Sequence, residues 1–152
     1  MSKRLVAMLV GVVALAVIAG GCGGGDDDAL TKAEFIKRGD AICKKIGTKS
    51  REEFDRAATK FLREGGTPNR ARGNEQAERF LIPARQAQIE GVRDLSPPSD
   101  DEDEISAMLD DAEEAVEESE ASPKIIFYPK TDPFVETDKL MKEYGFKVCG
   151  SI

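Results

Sequence analysis

The side chains most able to do chemistry in this sequence are acids. Asp100-Asp101-Glu102-Asp103-Glu104 is followed by Asp110, Asp111, Glu113, Glu114, Glu117, Glu118 and Glu120, so residues 94–120 hold 13 acidic side chains and no basic one. Carboxylates are suitable ligands for Ca²⁺ or another hard cation, and two of them across a cleft are what glycoside hydrolysis needs. Neither pattern is complete. An EF-hand loop has glycine at its sixth position and ligands spaced along a loop; here Ile105 follows the acids and the spacing is helical. Acids in a first turn also suit the helix dipole. A solvated acidic face is the leading reading, with a cation site or a docking face for a basic partner as the alternatives. The chain has no histidine and no tryptophan. That removes the usual base near neutral pH, the usual nucleophile triads and the commonest transition-metal ligand. Gly23-Gly24-Gly25 is followed by acids that would repel phosphate, and no serine stands in a nucleophile-elbow context. The expectation is a protein that is not an enzyme, with no catalytic residue, no cofactor and no metal site.

The three cysteines carry the remaining chemistry. Cys22 follows a three-part N-terminus: the cations Lys3 and Arg4, an apolar run from Leu5 to Ile18, and the small residues Ala19-Gly20-Gly21. This is the layout of a secretory signal. The apolar run is 14 residues long, short of the ~20 that span a bilayer comfortably. Ala19-Gly20-Gly21-Cys22 resembles the lipobox of bacterial lipoproteins, although that pattern usually has leucine where Ala19 stands. The resemblance implies removal of residues 1–21, a diacylglyceryl thioether on Cys22, and acylation of the new amino group with a palmitate-like chain. Two or more chains give a durable anchor where one holds only marginally. An uncleaved signal anchor and an ordinary secretory signal are the alternatives. Residues 22–29 then read as a flexible, solvated tether, because glycines and like charges build no core.

Without residues 1–21 the chain has 131 residues and a net charge of −9, one domain's worth over 30–152 with room for a modest core. That charge predicts repulsion from anionic head groups and from nucleic acid, so no nucleic-acid partner is expected. With Cys22 lipidated, Cys43 and Cys149 remain as an even pair in an oxidising compartment, where a disulfide is the default and two free thiols the alternative.

The elements that must position these residues are helical. Thr31 and Glu34 form a capping box, flanked by Leu30 and Phe35 as a hydrophobic staple. Phe35, Ile36, Ile42, Cys43 and Ile46 continue on one face, and Phe54, Ala57, Ala58, Phe61 and Leu62 extend it. Gly47-Thr48 either divides this run or lies within one long helix; Gly65-Gly66-Thr67-Pro68 ends it. Asn74 is a plausible cap for the next run, in which Pro83 either kinks the helix or begins its second half. Ser96-Pro97-Pro98 is a stop. Ser99 with Glu102 reads as a capping box for a third helix with the apolar stripe Ile105, Met108, Leu109, Ala112, Ala115 and Val116. Ile125-Ile126-Phe127-Tyr128 reads as a core-covering loop or an extended segment. Asp132 and Pro133 open a last helix, and Gly145 closes it. The expected fold is all-α, a small antiparallel bundle of four or five helices tied by one disulfide. Residues 29–93 hold 15 basic and 9 acidic side chains, so a compact bundle would set the acidic helix beside the basic early ones.

The glycine-rich tether, Ala33-Glu34-Phe35-Ile36 with Asp40-Ala41-Ile42-Cys43, Leu95-Ser96-Pro97-Pro98, and the terminal Tyr144-Gly145-Phe146-Lys147-Val148-Cys149-Gly150 together resemble a group of small lipoproteins of actinobacteria. The resemblance covers most of the mature chain. It implies the same first-helix to C-terminus disulfide and brings no activity. The expectation is a lipid-anchored module on the extracytoplasmic face of the cell membrane, held by lipid at Cys22. It would act through an envelope protein partner or as envelope structure. The second expectation is a carrier of a small ligand or cation, with a cavity near Pro83 and Ile125–Tyr128.

Overall fold

The computed structural model describes residues 29–128 and 130–150. The expected leader 1–21, Cys22 and all of the expected tether but Ala29 lie outside the described residues. The described residues are all-helical: α1 (Lys32–Arg63), α2 (Arg70–Gln76), a π turn (Ala77–Leu81), α3 (Ile82–Arg93), α4 (Glu102–Ala121), a 3₁₀ turn (Pro123–Phe127) and α5 (Phe134–Tyr144). Because α2, the π turn and α3 are continuous, the described residues form four rods in an antiparallel bundle.

The start of α1 follows its sequence signal. Thr31 N–H donates to Glu34 Oε2 at 3.2 Å and Glu34 N–H donates to Thr31 Oγ1 at 3.3 Å. The hydroxyl bond from Thr31 holds the Glu34 carboxyl below its ordinary value. Leu30 packs against the core beside fully buried Phe35. Gly47-Thr48 does not divide α1, which runs unbroken for 32 residues. Mid-helix glycine costs about 1 kcal/mol relative to alanine, an amount that packing of the flanking turns on α3 and the π turn offsets.

Two caps differ from expectation. Asn69, not Asn74, caps α2, its Oδ1 accepting the Arg72 N–H at 2.9 Å. Ser99 caps nothing: Asp101 N–H donates to the Pro98 carbonyl, a turn that delays the helix to Glu102. Asp132 performs its expected role, accepting the Phe134 N–H at 3.0 Å, with the helix beginning one residue later than Pro133. Ile125, Ile126 and Phe127 are neither loop nor strand but the end of a 3₁₀ turn over 123–127, and Tyr128 after it is extended.

Pro83 sits in the first turn of α3, directly after the π turn. Proline has no N–H and its ring collides with the carbonyl four residues back; widening the preceding turn to i→i−5 bonding relieves both, with Ile82 N–H reaching the Ala77 carbonyl.

The core gathers Phe35 and Cys43 of α1, Ile89 and Val92 of α3, Leu109 and Ala112 of α4, and Met141 and Tyr144 of α5. The last residues return to it: Gly145 turns the chain at φ +126°, and Phe146 and Cys149 are buried. One flank of α3 meets α1, where Gly91 lies against Ile42 and Gln88 Nε2 donates to the Cys43 carbonyl at 3.1 Å. The other flank meets α4, where Arg93 pairs with Asp110 and Glu113 at 2.9 and 3.0 Å. The acidic helix therefore does lie beside one of the early basic helices, but that neighbour is α3, which stands between α4 and α1, the holder of most of the early cations.

Candidate functional site: the interhelical cleft and its supports

A cleft of about 310 Å³ opens between α1, the π turn with the head of α3, and the segment from Ile126 to Phe134. Gly47, Ser50, Arg51, Phe54 and Asp55 line one side; Leu81, Ile82, Ala84, Arg85 and Gln88 line another; Ile126, Asp132 and Phe134 close it. This is the region around Pro83 and the 125–128 run. Its floor is apolar and its rim mixes one exposed cation, Arg51, with Asp55 and Asp132. Pockets of this size with a few convergent polar groups are the usual form of a small-molecule site.

The irregular π turn is tied to α1. Ser50 Oγ donates to the Phe80 carbonyl at 2.8 Å, and the Phe54 and Phe80 rings meet edge to face with centroids 6.3 Å apart. Arg85 fixes the inner wall. Its guanidinium makes two bonds of 3.1 Å to the Asp138 carboxylate, reaches the Cys149 carbonyl at 3.4 Å, and lies 4.7 Å over the Phe134 ring. Burial pushes the Asp138 carboxyl above its ordinary value, outweighing the opposite pull of Arg85.

Behind this wall, Cys43 and Cys149 form a disulfide with Cα atoms 5.2 Å apart, the pairing expected from the sequence. The Asp40 carboxylate accepts the backbone N–H groups of Lys147, Val148 and Cys149 at 2.8 to 3.3 Å. The sequence marks Asp40 only as a member of the Asp40-Ala41-Ile42-Cys43 motif, without a role; the spacing Asp40-Cys43 puts carboxylate and thiol about one turn apart. The gap beside the disulfide holds only about 20 Å³, room for roughly one water. At the head of α1, Tyr144 Oη donates to Asp101 at 2.7 Å and Lys32 Nζ stands 3.7 Å over the Tyr144 ring. Burial, then the Asp101 bond, raises the phenol's pKa, so it remains a donor.

The acids of α4 are exposed along its outer face. Among the described residues, no three histidine, cysteine or acidic side chains converge to hold a metal ion. No helix of the described residues is long and apolar enough to cross a membrane. Searched against protein-family models, curated proteins and solved structures, the chain matches none of them.

Proposed function

We propose that the chain is an extracytoplasmic lipoprotein, anchored through Cys22, whose helical domain is a non-enzymatic binding module of the cell envelope. The observation that carries the binding reading is the separation of charge to opposite flanks: a cationic outer face on α1 and an anionic one on α4, with α3 between. Faces of one sign steer and orient partners rather than hold a fold together. The anchor reading stands on Ala19-Gly20-Gly21-Cys22 and on the resemblance to small actinobacterial lipoproteins. Metabolic labelling with a palmitate analogue tests it: the chain takes up label, and Cys22→Ala does not and leaves the membrane fraction. Unlabelled wild-type chain overturns the anchor. Photo-crosslinking from the α4 face in the native envelope tests the module, and recovery of no specific protein overturns a protein partner there.

The cleft favours a second reading, a small-ligand carrier. Its apolar floor and mixed rim suit a compact amphiphile. The probe is anilinonaphthalene sulfonate. Saturable binding at one site that Ala84→Phe abolishes supports the carrier, and binding that persists in that variant removes it.

A further inference from the structure

The exposed flank of α1 carries a pattern of cations from which the cleft takes only Arg51. Arg38, Lys45, Lys49, Arg56 and Arg63 follow one another at steps of seven, four, seven and seven residues, spacing that keeps side chains on one helix face. Lys37, Lys44 and Arg51 make a second row beside them, again seven apart. All of these are exposed. The acids on the same flank are Glu34, Asp40, Glu52 and Asp55; Glu34 is occupied by the Thr31 cap and Asp40 by the N–H groups of Lys147, Val148 and Cys149. At ~1.5 Å per residue the stripe runs most of the length of a rod about 48 Å long.

We infer that this flank is a docking surface for anionic phospholipid: α1 lies along the bilayer to which the chain is tethered, and α4 faces away from it. The inference rests on the anchor reading above. Three physical points support it. First, the stripe's charge complements an anionic head-group layer. Second, the net charge of −9 does not govern the contact. Packed helices stand about 8–10 Å apart, so α4, beyond α3, is about two screening lengths from lipid touching α1 at physiological salt. Third, the tether joins the chain at the head of α1. Residues 22–29 reach about 29 Å at most, so each cation works at high effective concentration near the surface.

The test uses the mature chain 22–152, whose described residues close their own core. Cys22, the one cysteine outside the disulfide, is coupled to a maleimide lipid in phosphatidylcholine vesicles with or without phosphatidylglycerol. Acetylation of Lys44, Lys45 and Lys49 is compared with that of Lys139 on α5. With phosphatidylglycerol the α1 lysines react at least about threefold more slowly, and high salt restores their rate. The fourfold variant Arg38→Gln, Lys45→Gln, Arg56→Gln, Arg63→Gln changes only exposed side chains and loses the protection at Lys44 and Lys49. Equal rates in the two vesicles overturn the inference, as does protection that survives the variant. Protection by poly-glutamate but not by phosphatidylglycerol overturns it in favour of an acidic polypeptide. Self-association of the uncoupled chain that the variant abolishes overturns it in favour of a second copy. Because the anchor is made chemically, a failure here is distinct from a failure of palmitate labelling in the cell.

Discussion

Arg85 meets Asp138 through two parallel hydrogen bonds of 3.1 Å, joining the wall of the cleft to α5. Both side chains are largely buried, 14% and 20% exposed. Asp138 nevertheless has a folded pKa above its ordinary value. The stability it contributes is thus fully present below the unfolded aspartate value and is lost as pH rises through the folded one. Arg85→Met removes the lowering influence, raises that pKa further and costs about 1–3 kcal/mol at neutral pH. The deficit shrinks as the solution is acidified and Asp138 protonates. Urea unfolding from pH 3 to 7 reads it, and a deficit that grows on acidification refutes the assignment.

The disulfide closes a loop of 106 positions. Chain entropy gives such a crosslink about 4–5 kcal/mol, so Cys43→Ala with Cys149→Ala lowers the urea midpoint by a corresponding amount. A loss under about 1 kcal/mol would show that the crosslink does little to the unfolded ensemble.

The Asp40 carboxylate accepts the N–H groups of three successive residues, Lys147, Val148 and Cys149. Asp40→Ala costs about 1–3 kcal/mol and speeds amide hydrogen exchange at 147–149 selectively. Exchange that quickens evenly across the bundle would indicate a global effect instead.

Two glycine replacements should have opposite signs. A Cβ on Gly91 would stand 2.7 Å from Ile42 Cγ2, so Gly91→Ala forces α1 and α3 apart and costs about 1–3 kcal/mol. Gly73 in α2 has only Phe127 at 3.9 Å, an ordinary contact, and Gly73→Ala gains about 0.5–1 kcal/mol from helix propensity. Thermal melts of the two variants check the contrast.

Local signals in the sequence translate directly into structure where nothing distant competes. Thr31-Glu34, Asp132 and Gly145 each act within a few residues, and each does what its type and spacing require. The misplaced caps are tertiary effects. Asp101, two residues after the expected Ser99 cap, is held by Tyr144 and Lys32 from two other helices, and Ser99 lies inside the turn that the Asp101 N–H closes on the Pro98 carbonyl. Asn69 and Asn74 are the same residue type, and only where α2 starts decides between them. The order of packing was also hidden. Charge counts set α4 beside the early cationic helices without choosing among them; the contact of Gly91 with Ile42 and the pairing of Arg93 with α4 make that neighbour α3 rather than α1. Cysteine parity reveals the disulfide. The sequence marks Asp40 only by its place in the Asp40-Ala41-Ile42-Cys43 motif; its role as a clamp on Cys149 stays hidden, because a carboxylate serving three backbone N–H groups looks like any helical aspartate.

The crosslink between Cys43 and Cys149 also decides what one backbone cut can do. Its loop takes in most of α1 and everything after it up to Cys149, including the exposed Gly65 turn. A single nick anywhere inside that loop leaves both pieces covalently joined, so neither is shed. Release of the distal helices requires either a second cut or a reductant. A nicked molecule therefore keeps its mass until the thiols are freed, and it separates into fragments only on a reducing gel.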